Sequence, residues 1–315
     1  MKEIIVSKNE VGIRLTKYLK KVLNKIPDNI LYKLLRKKYF ELNNKKANGN
    51  EILSSGDKIS IFLSDETYDK FKTNKINHIK KENKDISIKD RIIYEDENII
   101  IFNKPSGLLS QGNTKNSVSV NSILNSYMNQ DNSNDLFKPS VVNRLDRNTS
   151  GIIIFAKTYI AARSISEMIR NNKLQKHYKA LINGVVKKDN QHLIHLLKKD
   201  SIKNVVDIKE YVSENNYKDG YSKVELEYKI LKKYKDRTLL DINLLTGKSH
   251  QIRAQLSYIG FPIVNDNKYK KSGEYMSNGH QMLSCYKIKF GTFDNNELKY
   301  LNNKSFEIEV KQNEF

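Results

Sequence analysis

Asp146 stands between two arginines in the string VVNRLDRNTSGIIIFAK (141–157), and Thr149-Ser150-Gly151 leads from it into an apolar run. Positive charge on both sides favours the ionised form of a carboxylate. Such a group can be a nucleophile or half of a structural ion pair on a loop, and charge alone leaves both open. Tyr178 lies in KHYKALINGVV (176–186), where it can offer a phenol or simply pack on a strand. Arg253 lies in LLTGKSHQIRAQLSYIGFPIVNDNKY (244–269), near the start of a predicted helix. A helix dipole disfavours a cation there, so an arginine in that place points to a specific anionic partner. His250 reads as a residue that orients the start of the same helix.

These strings occur in an order that resembles the RluA-type pseudouridine synthases. The family signature is close to H-R-L-D-x-x-T-S-G, and Arg144-Leu145-Asp146 and Thr149-Ser150-Gly151 match it; Asn143 takes the place of the usual His. Residues 176–186 resemble the K-x-Y-x-A-x-V-x-G strand. Residues 244–269 resemble T-G-R-T-H-Q-I-R-x-H-L-x-x-x-G-x-P-I-x-x-D, with Lys248, Ser249, Gln255 and Asn265 as departures. NKPSGLLSQG (103–112) resembles the family's N-K-P-x-G-L segment. The resemblance implies Asp146 as nucleophile, Tyr178 as the active-site tyrosine and Arg253 as the partner of the aspartate. It also implies that a uridine is turned out of folded RNA into a pocket. Arg144, Arg147 and Lys104 are then the expected phosphate contacts. Uracil leaves, turns and rejoins through carbon-5 with no redox change and no imported atom, so no cofactor is expected.

The elements that must hold these residues can be read coarsely. Strands are predicted at 98–103, 151–157, 176–184, 221–231, 237–245, 282–290 and 305–310, and helices at 159–171 and 249–258. Strict strand–helix alternation is missing, which predicts an α+β fold on a mostly antiparallel or mixed sheet over 91–315. Residues 1–63 read as a separate unit. IRLTKYLKKVL (13–23) has helical apolar spacing, and Asp28 is placed to cap a second helix, NILYKLLRKKYF. Short strands broken by turns follow. Lys17, Lys20, Lys21, Lys33, Arg36 and Lys37 fall on the polar sides of the two helices, as a solvated face or as a phosphate-docking one. This unit resembles an S-four-type RNA-binding domain. Residues 64–90 are charged and lack periodicity, which predicts a flexible linker that few contacts cross. Gly107, Gly151 and Gly247 are expected in tight turns.

Composition narrows the partners. The 315 residues carry 56 Lys and Arg against 36 Asp and Glu, a formal net charge of +20 that suits a polyanion. Lys, Asn and Ile have A/T-rich codons, so genome composition can inflate the lysine count without changing the sign. One cysteine, Cys285, excludes a disulfide framework and fits a reducing cytoplasm. The first residues lack the apolar stretch of a signal peptide, no run approaches the roughly 20 apolar residues of a membrane span, and no HExxH or glycine-rich phosphate loop occurs. A nuclease would need a carboxylate cluster for a metal, and none accompanies the motifs. A non-catalytic RNA-binding protein would have lost Asp146, Tyr178 or Arg253. The expected protein is a monomeric enzyme acting on structured RNA, ribosomal RNA of the large subunit first and transfer RNA second.

Overall fold

The computed structural model describes residues 1–72, 88–112, 114, 117–128, 136–200, 202, 204–212, 220–270 and 279–310. The N-terminal unit runs β1 (Lys2–Ile5), α1 (Leu15–Val22), α2 (Asp28–Arg36), β2 (Phe40–Leu42), β3 (Lys45–Lys46), β4 (Lys58–Ile61) and α3 (Asp65–Phe71). Its strands form one sheet in the order β1-β4-β2-β3. Leu15, Tyr18, Leu19 and Val22 of α1 and Leu31 and Leu35 of α2 are buried, the i, i+3, i+4 stripe of amphipathic helices.

Several expectations change here. Pro27, not Asp28, precedes the first turn of α2, and the Asp28 carboxylate pairs with Lys20 at 2.8 Å. The second helix stops early because Lys38 turns left-handed, at φ 63°, and Phe40 then enters the sheet as a buried strand residue. The first part of the expected linker is ordered. Ser64 accepts from the Thr67 N–H to start α3, and Tyr68 buries itself in the N-terminal core. Residues 73–87 of that stretch lie outside the described residues.

The larger body contains β5 (Ile92–Glu95), β6 (Ile99–Lys104), α4 (Val120–Tyr127), β7 (Ser140–Val141), β8 (Ser150–Ala156), α5 (Tyr159–Arg170), β9 (Gln175–Asn183), β10 (Asn190–Asp200), β11 (Val205–Glu210), β12 (Ser222–Lys233), β13 (Arg237–Leu244), α6 (Gln251–Tyr258), β14 (Leu283–Lys289) and β15 (Ser305–Glu307). Its sheet runs β11-β10-β12-β13-β9-β14-β8-β6-β5, with β7 and β15 joined to β8 and β14. The pairing of β14 with β8 is parallel, and the neighbouring ladders of β9, β13, β12 and β10 are antiparallel. The fold is therefore α+β on a mixed, mostly antiparallel sheet. Ile99–Phe102 and Ile152–Phe155 are continuous apolar runs because both faces of these central strands are covered. Each such side chain contributes about 1.5–3 kcal/mol by burial.

Contacts do cross between the unit and the body. Phe137 is buried in the N-terminal core, and Leu136, Tyr159 and Ala162 pack against it. Buried Glu10 accepts from the Leu136 N–H at 2.6 Å and from the Ser7 N–H at 3.1 Å. Lys21 donates to the Leu136 carbonyl at 3.2 Å, and Lys17 to the Tyr159 hydroxyl at 3.1 Å. Three of the six lysines and arginines expected to face RNA thus already hold protein partners: Lys17, Lys20 and Lys21. Lys33 and Arg36 on α2 and Lys37 just after it are exposed.

Gly151 lies inside β8 rather than in a turn. Its φ is +114°, and a Cβ there would lie 2.3 Å from the Cys285 carbonyl oxygen of β14. Gly151→Ala should therefore cost at least about 2 kcal/mol, from backbone strain and the forced separation of two core strands. Chemical denaturation measures this, and an unchanged midpoint would show that β8 and β14 can part freely.

Candidate active site

The site is built on the loop 142–149 between β7 and β8. Four neighbours fix its backbone from the side of residues 104–110. The Lys104 ammonium donates to the carbonyls of Pro105, Leu108 and Arg147 at 2.9, 2.9 and 3.0 Å. Ser106 donates to the Asn148 carbonyl at 2.7 Å. Ser110 donates to the Leu145 carbonyl at 2.7 Å and accepts from its N–H at 3.0 Å. The Gly107 N–H donates to the Arg147 carbonyl at 2.9 Å, and Arg147 Nε returns a bond to the Gly107 carbonyl at 3.0 Å. Asn143, where the family often has His, receives the Ile154 N–H at 2.7 Å and donates to the Ile152 carbonyl at 3.2 Å.

Lys104 is therefore not a phosphate contact. It is wholly buried, and its three donors are used by three carbonyls. Burial pulls its ammonium down to about 7, against the opposing field of Asp146. A neutral amine has only two N–H groups and would leave one carbonyl unmet, so the geometry favours the charged form. Arg144 is exposed, and Arg147 is exposed with its Nε engaged by Gly107. Neither forms an ion pair with Asp146, although both flank it in sequence.

The partner of Asp146 comes from 107 residues away. Arg253 Nη1 donates to Asp146 Oδ2 at 2.8 Å. Its Nε and Nη2 grip Asp266 at 2.7 and 2.9 Å. Asp266 also accepts the N–H groups of Lys268 and Tyr269 at 2.9 and 3.1 Å. Burial opposes both charges. The mutual bonds overcome it, so the guanidinium pKa moves up and the Asp266 pKa down. The side chains of Arg253 and Asp266 are 5% and 0% exposed, whereas that of Asp146 is 28% exposed. The reachable carboxylate is thus the outer end of a buried chain of charge. His250 stands at φ 56° just before α6, as expected of a helix-start residue. Its Nδ1 also meets the Tyr269 hydroxyl at 2.9 Å, and its Nε2 lies 3.8 Å from Asp146. Burial moves its pKa down despite the pull of Asp146, so at neutral pH it sits beside the carboxylate uncharged.

Asp146, Tyr178 and Arg253 line one cavity of about 800 Å³, with Arg144, Arg147 and Lys248 also on its walls. Tyr178 is 6% exposed, and its hydroxyl meets the Cys285 thiol. Burial first, then Cys285 and Asp146, push its pKa well above the ordinary tyrosine value. Asn265, where the family usually has Gly, keeps the left-handed backbone at φ 61°, which Asn tolerates better than most side chains. Gln255, where His is usual, is buried and bonded to His195 Nδ1 at 2.9 Å.

Residues 98–258 match the family described as RNA pseudouridylate synthase. This chain belongs to that family. The synthase is similar to the ribosomal large subunit pseudouridine synthase C of Rickettsia bellii, 32% identical over 84% of this chain and 85% of that one. It is also similar to an uncharacterized RNA pseudouridine synthase of Mycoplasma capricolum, 31% identical over 96% of each chain. In fold it resembles human RNA pseudouridylate synthase domain containing 4, with a TM-score of 0.59 over 72% of this chain and 91% of that one at 16% identity. The protein is an RNA pseudouridine synthase, an isomerase acting on RNA.

Asp266, Ser106 and Ser110 are site residues that the sequence reading does not single out, and Lys104 belongs to the loop's support rather than to the RNA contacts, although all four lie in the quoted motifs. The signal for Asp266 was the aspartate that closes the third motif, thirteen residues after Arg253. Asp266→Asn leaves Arg253 with one carboxylate instead of two. Breaking one partner of a buried pair costs about 3–5 kcal/mol. Thermal unfolding of this synthase variant should show that loss, and turnover should fall with it because the guanidinium no longer has a fixed plane. A variant with normal unfolding would mean that Arg253 is held by other groups.

Proposed function

We propose that Asp146 acts at the ribose of a uridine turned into the cavity, that Arg253 orients this carboxylate, and that Tyr178 forms the wall on which the base rests. The observation that carries this reading is the Asp146–Arg253 contact: an accessible carboxylate oxygen 2.8 Å from a buried guanidinium, at the wall of a cavity large enough for a nucleoside. The bidentate grip of Asp266 leaves Arg253 one direction in which to point, toward Asp146. A lysine could not reproduce that fork. The high pKa of Tyr178 disfavours its use as a base, because a buried phenol gives up its proton reluctantly. The isomerisation balances without a cofactor. The bond from N1 to the ribose breaks, one from carbon-5 forms, carbon-5 loses a proton and N1 gains one.

The target we infer is ribosomal RNA of the large subunit, the substrate for which the Rickettsia bellii relative is named. The net charge of +20 supports a polyanionic partner. The exposed cations Lys33, Arg36 and Lys37 give residues 1–63 an S-four-like docking face, while Arg144 and Arg147 stand where phosphates beside the opened base would pass. We place the enzyme in the cytoplasm, acting as a monomer. No helix among the described residues is long and apolar enough to cross a membrane.

Asp146→Asn keeps the size and removes the charge. It should abolish release of tritium from carbon-5 of labelled uridine while RNA affinity stays within a few-fold in filter binding. Measurable turnover by the purified variant overturns the role given to Asp146. Tyr178→Phe tests the other wall. Near-normal turnover is expected if the ring supports the base, whereas a loss of roughly a hundredfold would assign its hydroxyl to proton abstraction from carbon-5.

A further inference from the structure

Lys176 lies two residues before Tyr178 on β9, so both side chains leave the same face of the strand. Both line the cavity that holds Asp146. The Lys176 ammonium sits against Gly247, where a Cβ would lie 2.9 Å from its Nζ. The missing side chain leaves that wall open to the amine. Lys176 is half-buried, and burial moves its pKa down while the Cys285 thiol pulls the other way. Among the described residues no carbonyl or carboxylate accepts its protons.

That isolation sets Lys176 apart. Lys104 spends its donors on three carbonyls, and Lys20 is paired with Asp28. Lys199, Lys248 and Lys268 line the same cavity but are exposed at its rim. A partly desolvated ammonium without acceptors is unfavourable unless something arrives to meet it. Among the described residues no carboxylate forms an ion pair with it. Burial pushes the Cys285 thiol up to about 12 and the Tyr178 phenol well above its ordinary range, so both are neutral at pH 7. The reaction itself supplies an anion. When the bond from N1 to the ribose breaks, its electron pair stays on uracil and spreads over N1 and the two carbonyl oxygens. Arg253 is already committed to two carboxylates through Nε, Nη1 and Nη2, which offset its single positive charge before any base leaves.

We propose that Lys176 is a catalytic residue, whose ammonium donates to a carbonyl oxygen of the detached uracil and holds the anion in the cavity while it turns. This rests on the reading that Asp146 acts at the ribose and so frees the base. Lys176 supplies charge and consumes no proton. The proton lost from carbon-5 and the one gained at N1 balance each other, and the ammonium is unchanged at the end.

The test uses the full-length enzyme and total RNA from cells lacking its gene, labelled with tritium at carbon-5 of uridine. Lys176→Met should lower the single-turnover rate roughly a hundredfold, as loss of one preorganised donor to a developing anion does, with RNA affinity within a few-fold. Lys176→Cys separates charge from packing. Alkylation with bromoethylamine rebuilds an amine of similar length, and alkylation with bromopropane rebuilds the shape alone. The other cysteine, Cys285, is buried and escapes both reagents. The amine should recover at least about tenfold in rate, and the propyl group none. Because sulfur lowers the pKa of the rebuilt amine, its rate should also fall at lower pH than that of the native enzyme. Equal recovery by both reagents, or a near-native rate for Lys176→Met, overturns the proposal. Asp146→Asn is run in parallel. If it is inactive while Lys176→Met is normal, only the role of Lys176 falls; if it turns over, the reading of Asp146 falls and the proposal with it.

Discussion

A guanidinium inside a protein must be surrounded by acceptors, and Arg253 is held by two carboxylates of different exposure. Asp266 takes two of its nitrogens in a bidentate grip and is itself fixed by two backbone N–H groups. That grip fixes the plane of the guanidinium and leaves one nitrogen aimed at Asp146. Desolvation would make such a charge very costly if either carboxylate were absent. Three pieces of chain must therefore meet: the loop before β8, the first turn of α6 and the turn after it. The long-range order of the catalytic body follows from this meeting as much as from its apolar core.

The loop carrying Asp146 needs a second support, because a loop aimed into a cavity leaves many backbone groups to satisfy. Residues 104–110 provide it through Lys104, Ser106, Gly107 and Ser110. Lys104 acts as a three-pronged connector, tying the end of β6 to the carbonyl just after Asp146. Gly151 lets β8 approach β14 closely enough to put the loop opposite Tyr178. The side chains that line the cavity thus stand on a frame whose own polar groups are paired with one another.

Legibility in the sequence followed the strength of the local signal. The strands expected at 98–103 and 151–157 were plain because a strand covered on both faces carries an unbroken apolar run, here Ile99–Phe102 and Ile152–Phe155. Asp146, Tyr178 and Arg253 were legible because their motifs occur in order, and the cavity brings all three together. The hairpin of β10 and β11 was missed. Its outer strand, VVDIKE, lies at the sheet edge, where charge and exposure erase the alternation. Helix α3 has a good start in Ser64, Asp65 and Glu66 but only Tyr68 as a buried anchor, so its sequence lacks the apolar stripe that marks a helix. Lys104 misled for the opposite reason. A lysine in a polar loop segment reads as solvated, and only the fold shows three carbonyls converging on it. Flanking charge misled too: Arg144 and Arg147 adjoin Asp146 in sequence, yet its partner comes from a distant helix, because side chains of successive loop residues diverge.

The N-terminal unit bears on the same loop from the other side. Glu10 and Lys21 hold the two backbone groups of Leu136, and Phe137 sits in the N-terminal core. Only a few residues separate this anchor from Asn143, the residue that pins the start of the Asp146 loop to β8. A buried carboxylate such as Glu10 has few alternatives to the N–H groups it accepts, so the joint is directional as well as apolar. RNA docked on the exposed cations of α2 would therefore be held by a body in direct contact with the chain leading to Asp146. Docking and chemistry are then joined by packed residues, and the segment from Leu136 to Asn143 is where the two meet.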